Sequence, residues 1–211
     1  LKEKIIEFII KYCKMNNMRI NYNAGLLGAC EGRYYNIAYM MISNGATDFD
    51  GGLKYACIGG DDDIIDMMIR YGSNNYNGGL RGACEGGHLG IIKRMLSLGT
   101  NDYNWGLYGA CEGNQIEIIK MMISLGADDY NSGLNIACFN KKIEAAKMMI
   151  SLGANSHSII CRTLELKIFN IRLIGDNIEL PIKTEHPEYH LLKVYRYKIP
   201  DIDRLINKYL F

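Results

Sequence analysis

The chain has 211 residues, 48% hydrophobic and 22% charged, with a formal net charge of +1 at pH 7. That composition suits a soluble globular protein, and an acidic body, −4 over residues 21–154, argues against nucleic acid as the main partner. No apolar run approaches the roughly 18–20 residues that cross a bilayer.

The opening "LKEKIIEFIIKY" sets charges inside its apolar stretch, unlike a signal peptide. A chain that starts on Leu is expected to be a fragment or a trimmed piece. Residues 4–10, "KIIEFII", match the second helix of the repeat described next. Residues 1–20 are therefore read as the end of an upstream repeat acting as an N-terminal cap.

From residue 21 the chain repeats every 27 residues without gaps, in copies 21–47, 48–74, 75–101, 102–128 and 129–155. Gly25, Gly52, Gly79, Gly106 and Gly133 open each copy. Ala29, Ala56, Ala83, Ala110 and Ala137 recur, each followed by Cys30, Cys57, Cys84, Cys111 or Cys138. Gly45, Gly72, Gly99, Gly126 and Gly153 close them. A fixed period in this range marks a stacked array.

Within a copy, G-L-x-x-A-C sets Leu, Ala and Cys on one helical face. Asn23, Asp50, Asn77, Asn104 and Asn131 fall where an N-cap is expected. A turn follows, then an apolar run such as "IEIIKMMISLG", whose Ile-Ile and Met-Ile pairs form a second buried stripe. The closing Gly suits a left-handed C-cap. A link of seven residues, such as "GADDYNS", is expected before the next helix, with no room for a strand pair.

Beyond 155 the pattern decays. "SIICRTLEL" reads as a sixth first helix and "IRLIGDN", residues 171–177, as a worn second helix, with a hairpin around Gly175–Asn177 as the competing reading. Pro181, Pro187 and Pro200 all fall in this tail. Helices near 188–198 and 201–210 would cap the last apolar face, so 156–211 is read as a degenerate repeat and helical C-terminal cap.

The repeat resembles the ankyrin repeat, most closely in "GACEGGHLGIIKRMLSLGT" at 82–100. The resemblance covers 21–155 and recurs five times. It departs in length, 27 residues against the family's usual 33, and in W-G-L-Y at 105–108 where the family has T-P-L-H. The shortened copies are similar to those in ankyrin proteins of giant amoeba viruses. The resemblance implies an all-α, ankyrin-like solenoid of stacked helix-turn-helix repeats with short loops. It also implies a non-catalytic scaffold that binds a partner protein on its concave, first-helix face. The leucine-rich pattern L-x-x-L-x-L-x-x-N is absent from the sequence.

The chemical candidates have simpler structural readings. Seven Cys is an odd count. Five of them share one repeat position, where stacked helices would hold them about 8–10 Å apart, beyond the roughly 7 Å Cα limit of a disulfide. They are expected to be buried, reduced core residues. "GDDDIID" at 60–66 lacks the spacing of a calcium loop and reads as acids at a helix N-terminus. No P-loop pattern occurs and no zinc-type cysteine pair is present. The charge is +3 over residues 1–20, −4 over 21–154 and +2 over 155–211. No metal, cofactor, nucleic acid or membrane partner is expected, and the chain is read as an intracellular, cytoplasmic monomer, in host cytoplasm if viral.

The variable positions carry the functional expectation. The fourth, seventh, eighth and eleventh positions of each copy are read as the exposed face of the first helix. The candidates taken from there and from the turn are Lys54, Tyr55, Ile58, Arg81, His88, Trp105, Tyr108, Gln115 and Phe139. They are expected to bind the partner, with Trp105 and Tyr108 as anchors, because Trp, Tyr and Arg dominate interfaces. The alternatives are a self-associating or assembly element of a larger ankyrin chain, and a ubiquitin-ligase substrate adaptor, although 155–211 shows no clear F-box pattern.

Overall fold

The computed structural model of the protein describes residues 2–155, 172–174 and 177–179. It divides into two compact units, Leu1–Asp129 and Tyr130–Phe211. The first unit holds α1 (Lys2–Met15), α2 (Tyr22–Glu31), α3 (Tyr35–Ser43), α4 (Phe49–Gly59), α5 (Asp62–Arg70), α6 (Tyr76–Gly86), α7 (Leu89–Ser97), α8 (Tyr103–Gly113) and α9 (Ile116–Leu125). The second holds α10 (Tyr130–Phe139), α11 (Ile143–Ser151) and the strands β1 (Arg172–Ile174) and β2 (Asn177–Glu179). In the first unit each first helix packs on the second helix of its own repeat and on the first helix of the next, in the order α2, α4, α6, α8. This is a helical repeat array, and no strand interrupts residues 2–155.

The first helices start earlier than the sequence suggested, on the aromatic residue that follows the true cap. Asn21, Asp48 and Asn75 accept from the backbone N–H of Ala24, Gly51 and Gly78. Asp102 caps α8 one residue short, accepting from Asn104. The links shrink accordingly, to four residues between α9 and α10 rather than seven.

Asn23, Asp50, Asn104 and Asn131 are therefore not caps. They sit on the second helical residue and latch the next link instead. Asn23 Oδ1 accepts from the N–H of Thr47 at 2.7 Å and Asp48 at 3.1 Å. Asn104 Oδ1 accepts from Asp128 and Asp129, both at 3.0 Å, and its Nδ2 donates to Asp128 Oδ1. Asp50 accepts from Ser73, Asn74 and Asn75, and Asn131 from Asn155. A short link has few internal partners for its backbone donors, and the Asx side chain satisfies them. Asn77 is the exception: its Oδ1 is buried and, among the described residues, has no partner.

The core forms as the period implied. Leu26, Leu53, Leu80, Leu107 and Leu134 are buried with the Ala and Cys of their helices, as are Ile64, Ile65, Ile92, Ile119, Met68, Met95 and Met122 of the second helices. Each closing Gly has positive φ, from 90° at Gly153 to 116° at Gly126, as a left-handed terminus requires. The acids of "GDDDIID" do structural work. Asp61 caps α5 by accepting from Ile64 at 3.1 Å, and Asp62 and Asp66 pair with Arg94 of α7.

Glycine spacing sets how closely the first helices approach. A Cβ on Gly82 would land on the carbonyl oxygen of Lys54, and one on Gly109 on that of Arg81. The eighth repeat position therefore faces the preceding first helix, not the open face assigned to it from sequence. Gly82 and Gly109 are buried there.

In the second unit, the worn-helix reading of 171–177 is overturned. Arg172–Ile174 pairs antiparallel with Asn177–Glu179, with Ile174 opposite Asn177. Gly175 and Asp176, between the two strands in sequence, lie outside the described residues. The all-α expectation thus holds through Ser151 and fails at this hairpin. The expected sixth first helix and the helices near 188–198 and 201–210 lie outside the described residues.

Candidate functional site

Four side chains of the first unit build one cluster on α6 and α8. Arg81 donates through Nε and Nη2 to Glu112 Oε2, at 3.3 and 2.9 Å. Its guanidinium carbon lies 5.8 Å from the centre of the Trp105 ring, within cation–π range. Trp105 and Tyr108 are tilted rings with centroids 6.4 Å apart. The Tyr108 hydroxyl donates to Asp129 Oδ2. Trp105 keeps 37% of its surface exposed, whereas Arg81 and Tyr108 are half-buried. The geometry follows from the repeat: Gly109 brings α8 onto the Arg81 backbone, so Arg81 reaches across to Glu112 and Trp105.

Beside them, Glu85 Oε2 is buried and has no partner among the described residues. Burial pushes the Glu85 carboxyl above its usual range, Glu112 adds to the rise, and Lys54 and Arg81 oppose it. Glu31, Glu85 and Glu112 occupy one repeat position. From sequence, only the apolar members of that position, Ile58 and Phe139, were expected at the interface. The recurring Glu amid varying neighbours was the available signal.

The other predicted residues do not all join this cluster. His88 Nε2 donates to the carbonyl of Ile58 at 3.0 Å, and Gln115 Nε2 to that of Glu85 at 3.4 Å. Both turn residues thus reach back to the preceding repeat and staple it. Ile58 is half-buried and offers its carbonyl to that staple. Tyr55 sits at the inter-helix edge where later copies carry Gly82 and Gly109, with the Lys54 ammonium 5.5 Å from its ring centre. Phe139 belongs to the second unit and is 73% exposed.

The repeated thiols are unreactive by position. Cys30, Cys57, Cys84 and Cys111 are buried and unbridged, and Cys138 is buried. Burial pushes each of the first four thiols up to about 12. They stay protonated near neutral pH, and the thiol is a far poorer nucleophile than the thiolate. Among the described residues no three His, Cys, Asp or Glu side chains converge as a metal ion would need. No described helix is long and apolar enough to cross a membrane. A cleft of about 570 Å³ lies elsewhere, lined by Tyr35, Asp63, Asp66, Ile69 and Arg70 on the second helices.

A comparison with protein-family models matches none of them, and a comparison with curated proteins finds no match.

Proposed function

We propose that the chain is a non-catalytic protein-interaction array of the shortened ankyrin type, which docks a partner on the first-helix face of its first unit. The observation that carries this reading is the exposed Trp105 ring, held in place by Arg81 and Tyr108 on a face the core does not use. A surface Trp fixed in advance loses little side-chain entropy on binding, which is what an interface anchor requires. Glu85 adds a chemical preference. Its buried, unpartnered oxygen would gain a hydrogen bond from a basic side chain of the partner, removing a desolvation cost of about 1–3 kcal/mol. The best occupant is therefore a protein segment with one apolar and one basic side chain side by side.

The test uses a photo-crosslinking residue placed at Trp105 and, as control, at Lys120 on a second helix. Partners trapped from cytosol at the first site alone are carried forward. Trp105→Ala and Glu85→Gln should each then weaken binding about tenfold or more, with thermal stability within about 2–4 °C of the parent. Equal trapping at both positions, or unchanged affinity in both variants, removes the reading.

A further inference from the structure

The link 98–102, between α7 and α8, is bonded differently from its counterparts. Ala46, Ser73, Ala127 and Ala154 donate their backbone N–H to the carbonyls of Met41, Met68, Met122 and Met149, at 3.0 or 3.1 Å. Thr100 holds the same repeat position, but its hydroxyl donates to the Met95 carbonyl, at 3.1 Å. The N–H of Leu98 takes the same oxygen at 3.2 Å. A carbonyl offers two lone pairs, so the Thr100 hydroxyl occupies the place that the N–H fills in the other copies.

The next two donors are left out by the same change. Asn23 accepts from Thr47 and Asp48, and Asp50 from Asn74 and Asn75. The corresponding N–H groups of Asn101 and Asp102 have no partner among the described residues. Nor has the buried Oδ1 of Asn77, which stands where Asn23 and Asp50 stand. Both halves of a latch are present and unjoined.

The latch shares a residue with the cap of the next helix. Asp48 gives its N–H to Asn23 and accepts through its side chain from Gly51, three residues on. Asn75 gives its N–H to Asp50 and accepts from Gly78. Asp102, unlatched, accepts from Asn104, only two residues on. Three residues on from Asp102 stands Trp105, whose N–H goes to the Asp102 carbonyl at 3.3 Å instead.

We propose that link 98–102 is a two-position element that sets the Trp105 ring and so regulates docking there. It is released, as in this structure, while the Thr100 hydroxyl holds the Met95 carbonyl. It is latched when the Thr100 N–H takes that carbonyl and Asn77 Oδ1 accepts from Asn101 and Asp102. On latching, the Asp102 carboxylate moves from the Asn104 N–H to that of Trp105, and the first turn of α8 re-forms beneath the ring. The two positions are balanced by opposing terms. Latching satisfies the buried Asn77 oxygen but strips the buried Thr100 hydroxyl of its acceptor, while Asn101 and Asp102 are exposed to water when released. A partner that binds one position better draws the link to it. This regulatory use rests on the reading of Trp105 as the anchor.

The experiment compares the parent with Thr100→Ala, Asn77→Ala and the double variant. Ala is the residue that copies one, four and five carry at this position, so Thr100→Ala folds as they do and should close the latch. Amide exchange at Asn101 and Asp102 should slow about tenfold or more in Thr100→Ala and return to the parent rate in the double variant. Trp105 is the single Trp of the chain, and its emission should shift in Thr100→Ala alone. An equal emission shift with and without Asn77 overturns the proposal, as does unaltered exchange at Asn101 and Asp102 in Thr100→Ala. So do parent amides there already as protected as those of Thr47 and Asp48. The test uses no partner, so loss of the docking reading leaves its result standing, and a failed latch leaves crosslinking at Trp105 unaffected.

Discussion

Gly109 lies so close to the carbonyl oxygen of Arg81 that a side chain of one carbon has no place between them. Backbone cannot give as a flexible side chain can, so α8 would have to move off α6. Gly109→Ala should therefore destabilise the protein by about 2–3 kcal/mol despite the better helix propensity of Ala. Urea denaturation checks it. A stability equal to the parent's would show that the first helices can separate without cost.

The latch residues give a paired prediction. Asn104→Ala frees two backbone donors and loses a contact to Asp128, and should cost about 1–3 kcal/mol. Asn77→Ala removes an oxygen that has no partner among the described residues and should cost less. Equal losses in thermal melts would mean that both side chains are latched in solution.

The buried thiols predict a pH dependence. Burial makes Cys30, Cys57, Cys84 and Cys111 hold their protons to about 12 when folded, whereas a thiol in water releases its proton near 9.0. The unfolded chain releases those protons first. The contribution is thus fully present below pH 9 and is lost as pH rises toward 12. Melting temperature should fall steadily above about pH 9, and a Cys84→Ala variant should fall less steeply. A flat profile from pH 8 to 11 would place these thiols in water.

The thirteenth position of each repeat adopts positive φ, at Arg33, Gly60, Gly87, Asn114 and Lys141, although only two of these are glycine. An L side chain there costs about 1–2 kcal/mol. Lys141 has φ 57° and an exposed side chain. Lys141→Gly should stabilise the protein by about 0.5–1 kcal/mol after the entropy of the freer unfolded chain is counted. Calorimetry tests this, and a destabilised variant would show that the lysine side chain contributes contacts that outweigh the strain.

Much of this architecture is written in the period of the chain. The 27-residue register placed the inward Leu, Ala and Cys, the paired second helices and the left-handed closing glycines. Each of these depends on spacing along one helix, which a sequence displays directly. Boundaries were harder. "NYN" offers two Asn that could each cap, and only the structure shows Asn75 capping α6 while the Asn77 Oδ1 is buried without a hydrogen-bond partner among the described residues. At 171–177 the apolar pattern was too short to separate helix from strand, and cross-strand pairing settled it.

The site divides along the same line. Sequence alone picked out Trp105, Tyr108 and Arg81, because they vary in size and charge within a constant frame. It equally picked out His88 and Gln115, whose roles depend on carbonyls about 30 residues away. It also set the eighth position on the open face, where Gly82 and Gly109 in fact meet a neighbouring helix. Intrahelical periodicity tells which residues leave the core of their own repeat. It carries no information on whether the next repeat or solvent receives them. That depends on how closely two helices approach, a distance set by glycines from one repeat against backbone from another, and only the tertiary structure decides it.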